Sequence, residues 1–261
     1  MIMQNQILKK AYVFLSAVFI LIIHLPLVSA NTRPLQTAKP VLANYTAHLS
    51  NNTLPETAKE DLITRANTLY ETMQLHEAGL SKQTFDYAIK GFDQLLQSGK
   101  FVNEHIISIV DLSMPSTKKR LFIIDLNEAK VLFNTYVAHG VNSGKVMASN
   151  FSNALQSYKS SLGFYQTLGT YMGGHGYSLR LEGLEKGIND NANRRDIVIH
   201  GAPYVNESLI RSQGYIGRSW GCPALPENLN KPIINTIKNG TCLFIYGNNK
   251  SYVKRSKIIN G

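Results

Sequence analysis

Apolar residues fall along this chain in three rhythms, and each predicts a different kind of element. Residues 11–23 are almost continuously apolar. Farther on, Leu62, Ala66, Leu69 and Met73 recur at intervals of four, three and four, with Glu56, Glu60 and Asp61 toward the start and Gly79 as a stop. This predicts an amphipathic helix beginning near Pro55. A second helix follows, with Ser81 as its cap, Phe85, Ala88, Ile89, Phe92, Leu95 and Leu96 as its buried stripe, and Gly99 past its end. A connection of about three residues makes the pair an antiparallel hairpin within residues 53–103. From residue 104 the rhythm shortens to β-like runs at 106–112, 121–125 and 131–138, the last two separated by a turn at Asn127-Glu128, which predicts a β-meander. A glycine- and serine-rich stretch, residues 139–189, reads as binding loops or insertions on the scaffold. Strands at 196–200 and 241–246 then bracket a short helix between Pro226 and Lys238 that carries Ile233, Ile234 and Ile237. Residues 251–261 read as a basic C-terminal tail.

The first thirty residues have the layout of a secretory signal peptide: Lys9-Lys10, the apolar run, then Val28-Ser29-Ala30 at a plausible cleavage position. The run is shorter than the roughly 20 residues that span a bilayer, so no membrane span is expected after cleavage. Residues 31–52 are polar, broken by Pro34 and Pro40, and read as a tether. Loss of Lys9 and Lys10 lowers the formal charge from +10 to +8, leaving a basic protein. For an exported chain that suits a polyanionic cell wall, and nucleic acid is not an expected partner. Localisation is expected in the periplasm or cell wall.

Two cysteines are present, Cys222 and Cys242. A disulfide is the default for two cysteines in an oxidising compartment. Cys242, however, sits in the apolar run Thr241-Cys242-Leu243-Phe244-Ile245-Tyr246, while Cys222 lies in a turn between Gly221 and Pro223. Cys222 also follows, by 22 residues, the apolar strand that ends in His200-Gly201. A thiol is mostly protonated near neutral pH, and an imidazole beside it raises the thiolate fraction that attacks carbonyls. The pair therefore points to acyl transfer. Pro223 and Pro226 keep Cys222 off the following helix, whose N-terminal dipole is expected to lower the thiol pKa modestly.

His200-Gly201, the spacer, and Arg218-Ser219-Trp220-Gly221-Cys222-Pro223-Ala224 resemble the YkuD-like catalytic domain of murein L,D-transpeptidases, in a divergent branch with a Ser-x-Gly-Cys-Pro-Ala signature. Phe151-Ser152-Asn153, residues 160–165, Gly174-His175-Gly176 and the segment from Gly183-Leu184 to Asn189-Asp190 fit the same branch. The resemblance covers residues 104–247 and implies an α+β fold with a mainly antiparallel β catalytic domain. It further implies that His200 activates Cys222, that the thiolate attacks a peptidoglycan stem peptide and expels D-alanine, and that the amine of a second stem resolves the thioester. No cofactor and no metal are implied. Backbone N–H groups of the Trp220-Gly221-Cys222 turn are the expected oxyanion donors, with Gly201 and Gly221 permitting close approach. The commoner family signature has histidine before Gly-Cys and arginine two positions after the cysteine, where this chain has Trp220 and Ala224. Arg218 and Arg195 are the nearest replacements for that cation.

His139, His175 and Ser219 join Arg195 and Arg218 as candidate substrate contacts. His139-Gly140 ends a strand much as His200-Gly201 does, and the bland reading of His139 is a hydrogen-bonded loop histidine. Three other functions stay open: an L,D-carboxypeptidase with water as acceptor, a noncatalytic wall-binding module, and a zinc-dependent exported hydrolase using His139, His175, His200 and Cys222. The last lacks the tight spacing of a zinc motif.

Overall fold

The computed structural model describes residues 56–261, so the signal peptide and the tether lie outside the described residues. The described residues form one compact unit. Among the described residues no helix is long and apolar enough to cross a membrane.

Two helices, α1 (Glu56–Thr72) and α2 (Lys82–Gln97), open the unit. Ser81 caps α2 as expected, its side chain accepting from the Thr84 N–H. The first helix ends earlier than the pattern predicts. The chain leaves it at Thr72, takes a left-handed turn at Gln74 (φ 50°), and buries Leu75 and Leu80 in the connection. Two apolar anchors in the linker thus replace the last helical turn. The stripe of α2 lies directly on the sheet: a Cβ at Gly91 would fall 2.0 Å from the Phe164 ring. The hairpin therefore shares one core with the strands rather than forming a domain of its own.

The sheet has eight strands in the order β3-β2-β1-β8-β4-β5-β6-β7. Its meander is β1 (Ile106–Asp111), β2 (Leu121–Asp125) and β3 (Lys130–Thr135), paired antiparallel. β8 (Cys242–Tyr246) runs parallel to β1 and antiparallel to β4. The glycine-rich stretch read as loops contains β4 (Gly163–Gly173) and β5 (Gly176–Gly183), a long hairpin. Six glycines and several polar residues hid its period-two pattern. β6 (Val198–Gly201) and β7 (Ala224–Leu225) finish the sheet, with α3 (Glu207–Gln213) between them. Just beyond β3, Ala138 donates its N–H to Ala224 O, so the two ends of the sheet meet and it curls toward a barrel.

Helix α4 (Glu227–Ile237) packs behind β6. The C-terminal residues are not a loose tail. They form α5 (Lys250–Arg255) and α6 (Lys257–Asn260), with Tyr252, Ser256, Ile258 and Ile259 buried. The reason is Glu185, a buried carboxylate that accepts from Tyr252 Oη, Ser256 Oγ and the Phe164 N–H. Burial raises its pKa, opposed by those hydrogen bonds. The fold is α+β with a mostly antiparallel sheet.

Candidate active site

β6 and β7 run parallel, with His200 level with Ala224. Cys222, two residues earlier, comes level with Val198, whose N–H points at Cys222 Sγ from 3.5 Å. His200 and Cys222 are thus one strand across and two residues along. With ~4.8 Å between strands and ~3.3 Å per residue, their Cα atoms stand on the order of 8 Å apart. At rest the thiol donates to Asp196 O at 3.5 Å. Burial pushes the Cys222 thiol pKa up, against the Val198 N–H, the Arg195 charge and the cysteine's own N–H, which favour thiolate. The expected lowering by the α4 dipole is overridden: taking sulfur out of water outweighs it. Cys242 is buried on β8, four strands away along the sheet, and both cysteines are free.

His200 is 1% exposed. Its Nδ1–H donates to Gly201 O at 2.9 Å, which leaves Nε2 as the basic nitrogen. Burial lowers its pKa, as does nearby His175, while the Gly201 carbonyl raises it. The resting pair is accordingly a neutral imidazole and a neutral thiol. His175, exposed at the β4–β5 tip, stacks on the His200 ring at 4.3 Å between centroids and 20° between planes. On the other side Asn230 of α4 packs against Gly201 and donates from Nδ2 to Tyr177 O, its buried Oδ1 unpartnered among the described residues.

The turn before Cys222 is held from within. Ser219 Oγ donates to Cys222 O at 2.7 Å and accepts from the Gly221 N–H at 3.0 Å. Ser219 is therefore a brace of the turn, and the Gly221 N–H is not available to an oxyanion. Gly221 itself is dictated by its surroundings: at φ +126°, a Cβ would lie 2.8 Å from Lys159 O and 3.2 Å from Arg195 Nη2. Arg195 runs beneath this turn and is committed, Nη1 to Ser152 O and Ser161 Oγ, Nη2 to Ser157 Oγ and Lys159 O. It ties the 152–161 loop to the site. Arg218 donates only from Nη1, to Gly144 O at 3.3 Å, and lies over the Tyr215 ring. Trp220 is 75% exposed and leans on Tyr158, which itself takes φ 53°. Tyr204 sits close enough for the Cys222 charge to raise its pKa, after burial, to about 12. Its ring packs on Gly217, where a Cβ would strike it.

His139 does not face this site. It is fully buried, Nδ1 accepting from Arg120 Nη2 at 2.7 Å and Nε2–H donating to Gly144 O at 3.2 Å. Both nitrogens are occupied, so the expected substrate contact is corrected to a structural one. Among the described residues no three His, Cys, Asp or Glu side chains converge to hold a metal ion, which leaves the zinc reading without a ligand cage.

Residues 76–246 match the family model described as the L,D-transpeptidase catalytic domain. This chain belongs to that family. No curated protein matches it by sequence. Its similar solved structures include an L,D-transpeptidase from Mycobacterium smegmatis, 13% identical over 55% of this chain and 59% of that one, with a TM-score of 0.34. Another is the helical cell shape determining protein Pgp2 from Campylobacter jejuni, at 15%, 61%, 51% and 0.39. A third, L,D-transpeptidase 3 from Mycobacterium tuberculosis, gives 12%, 54%, 61% and 0.32. The chain spans between about half and three fifths of the length of these proteins.

Within this L,D-transpeptidase domain the two departures from the commoner signature have different surroundings. Ala224 is fully buried between His200 and Ala138, in a small cluster with Ala202, Val205 and Ile216 that has no room for an arginine. Trp220 faces outward, and nothing in the structure calls for an imidazole in its place.

Proposed function

We propose that this L,D-transpeptidase domain is an exported cysteine acyltransferase acting on peptidoglycan stem peptides at the cell wall. The observation that carries the reading is the tautomer of His200: with Nδ1–H held by Gly201 O, the free lone pair is on Nε2, one strand from the thiol. In the first step the Cys222 thiol proton passes to Nε2 as sulfur attacks the carbonyl of the L-centred diamino acid. Rotation of the side chain away from Asp196 O accompanies substrate binding. The Cys222 N–H, beside the reacting sulfur, is the turn donor assigned to the oxyanion. Collapse of the tetrahedral species returns the proton to the departing D-alanine nitrogen and leaves a thioester, which the amine of a second stem resolves. Arg218, with one hydrogen bond of its own, is the cation open to a stem carboxylate; Arg195 is not.

Incubation of the protein with purified tetrapeptide muropeptides, followed by mass analysis, tests this. The expected products are crosslinked dimers together with free D-alanine, absent with Cys222→Ala. Free tripeptide alone makes the acceptor water, and activity undiminished in Cys222→Ala removes the nucleophile assignment.

A further inference from the structure

The base of the proposed reaction is buried on every side but one, and that side is covered by a residue from a different part of the chain. β5 pairs Ser178 with His200, and His175 lies three residues earlier, at the β4–β5 tip. Gly173 and Gly176 pair at its base, and Gly176 supplies the left-handed conformation (φ +73°) that turns it. The tip has no packing reason to fold inward: Met172 is 76% exposed and His175 is itself exposed. Yet the His175 ring lies face to face with His200 at 4.3 Å, nearly parallel.

We propose that His175 is a positioning residue for His200: its ring fixes the plane of the base and covers its face. This rests on His200 acting as the base for Cys222. Nδ1–H to Gly201 O sets the tautomer but leaves the ring free to swing about that bond; a stacked ring removes the swing. A stacked ring pair favours its own geometry by about 2- to 10-fold in population. Arg195 and Asp196, just before β6, and Tyr204, just after it, stand around Cys222, and His175 is the titratable group that acts on His200. α4 presents the uncharged Asn230.

The test is the rate of Cys222 alkylation by iodoacetamide at pH 7 and at pH 11, for wild type, His175→Ala, His175→Phe and His200→Ala. Cys242 is buried and free, and Cys222→Ala measures its background. At pH 7, His175→Ala is expected to slow alkylation about 2- to 10-fold, and His175→Phe, which keeps a stacking ring, to restore most of it. At pH 11 hydroxide removes the thiol proton, and all variants are expected to react alike. The proposal is overturned by wild-type rates in His175→Ala at pH 7, by failure of Phe to rescue, or by an equal loss at both pH values, which marks a structural defect. A variant that alkylates normally but loses muropeptide turnover makes His175 a substrate contact and also overturns it. The parent reading fails separately, if His200→Ala reacts as fast as wild type at pH 7.

Discussion

Two His-Gly pairs end apolar segments in this protein, and they have opposite fates. His139-Gly140 follows β3 and His200-Gly201 ends β6. In sequence they look alike. In the structure, His139 has Arg120 on one nitrogen and Gly144 O on the other, with Arg120 itself fully buried and spread over Val137 O and Met114 O. His200 has a single partner, Gly201 O, and a ring stacked on an exposed residue. A histidine with both nitrogens occupied can only hold a fold together; one with a single anchored nitrogen keeps a base. What separates them is not the residue or its strand but the number of neighbours that complete it.

The sharpest way to break this comparison is to swap each imidazole for an amide. His200→Gln is expected to lower muropeptide turnover by roughly 10²- to 10⁴-fold, the usual share of a general base, with little change in melting temperature. His139→Gln is expected to do the reverse, lowering the melting temperature while Cys222 alkylation at pH 7 stays near wild type. Equal losses from both, in either assay, would erase the distinction.

The second prediction concerns acid. Burial and the Arg120 charge lower the His139 pKa to about 4, against an ordinary value near 6.5. Between those values the unfolded chain binds a proton that the folded one refuses, so stability falls as pH drops from about 6.5 through 4. The loss is on the order of 3 kcal/mol. Urea unfolding at pH 7 and pH 4 measures it, and the part due to this group disappears in His139→Gln.

The smallest effects separate the two glycines. A Cβ on Gly140 would sit 2.5 Å from Tyr158 O and 2.9 Å from the Lys159 backbone, which cannot yield, so Gly140→Ala is expected to cost about 1–3 kcal/mol. On Gly201 the nearest atoms belong to the Asn230 side chain at 3.1–3.3 Å, which can shift, and the cost of Gly201→Ala is expected below about 1 kcal/mol. Denaturant midpoints of the two variants give the order directly.

The meander, the α2 stripe and the apolar β8 were legible because their side chains follow one period and bury on one core. The β4–β5 hairpin was not, since glycines interrupt its pattern and three of them, Gly163, Gly173 and Gly183, serve close approaches that a strand pattern does not encode. Among site residues, Cys222 and His200 were visible from type and setting. Arg120 was not: it follows Lys118-Lys119 and reads as part of a solvated basic run, while the carbonyls that bury it come from residues 114 and 137. Ser219 was visible as part of a motif, but its work on the turn appears only once Gly221 N–H and Cys222 O are seen to converge on its hydroxyl.

β8 comes last of the eight strands in sequence yet lies inside the sheet, between β1 and β4. A ribosome releases a chain from its N-terminus, and until residues 242–246 emerge it has delivered two half-sheets, each with an open apolar edge and neither able to close. One short apolar strand then joins both halves at once, so the two halves of the sheet depend on the same five residues.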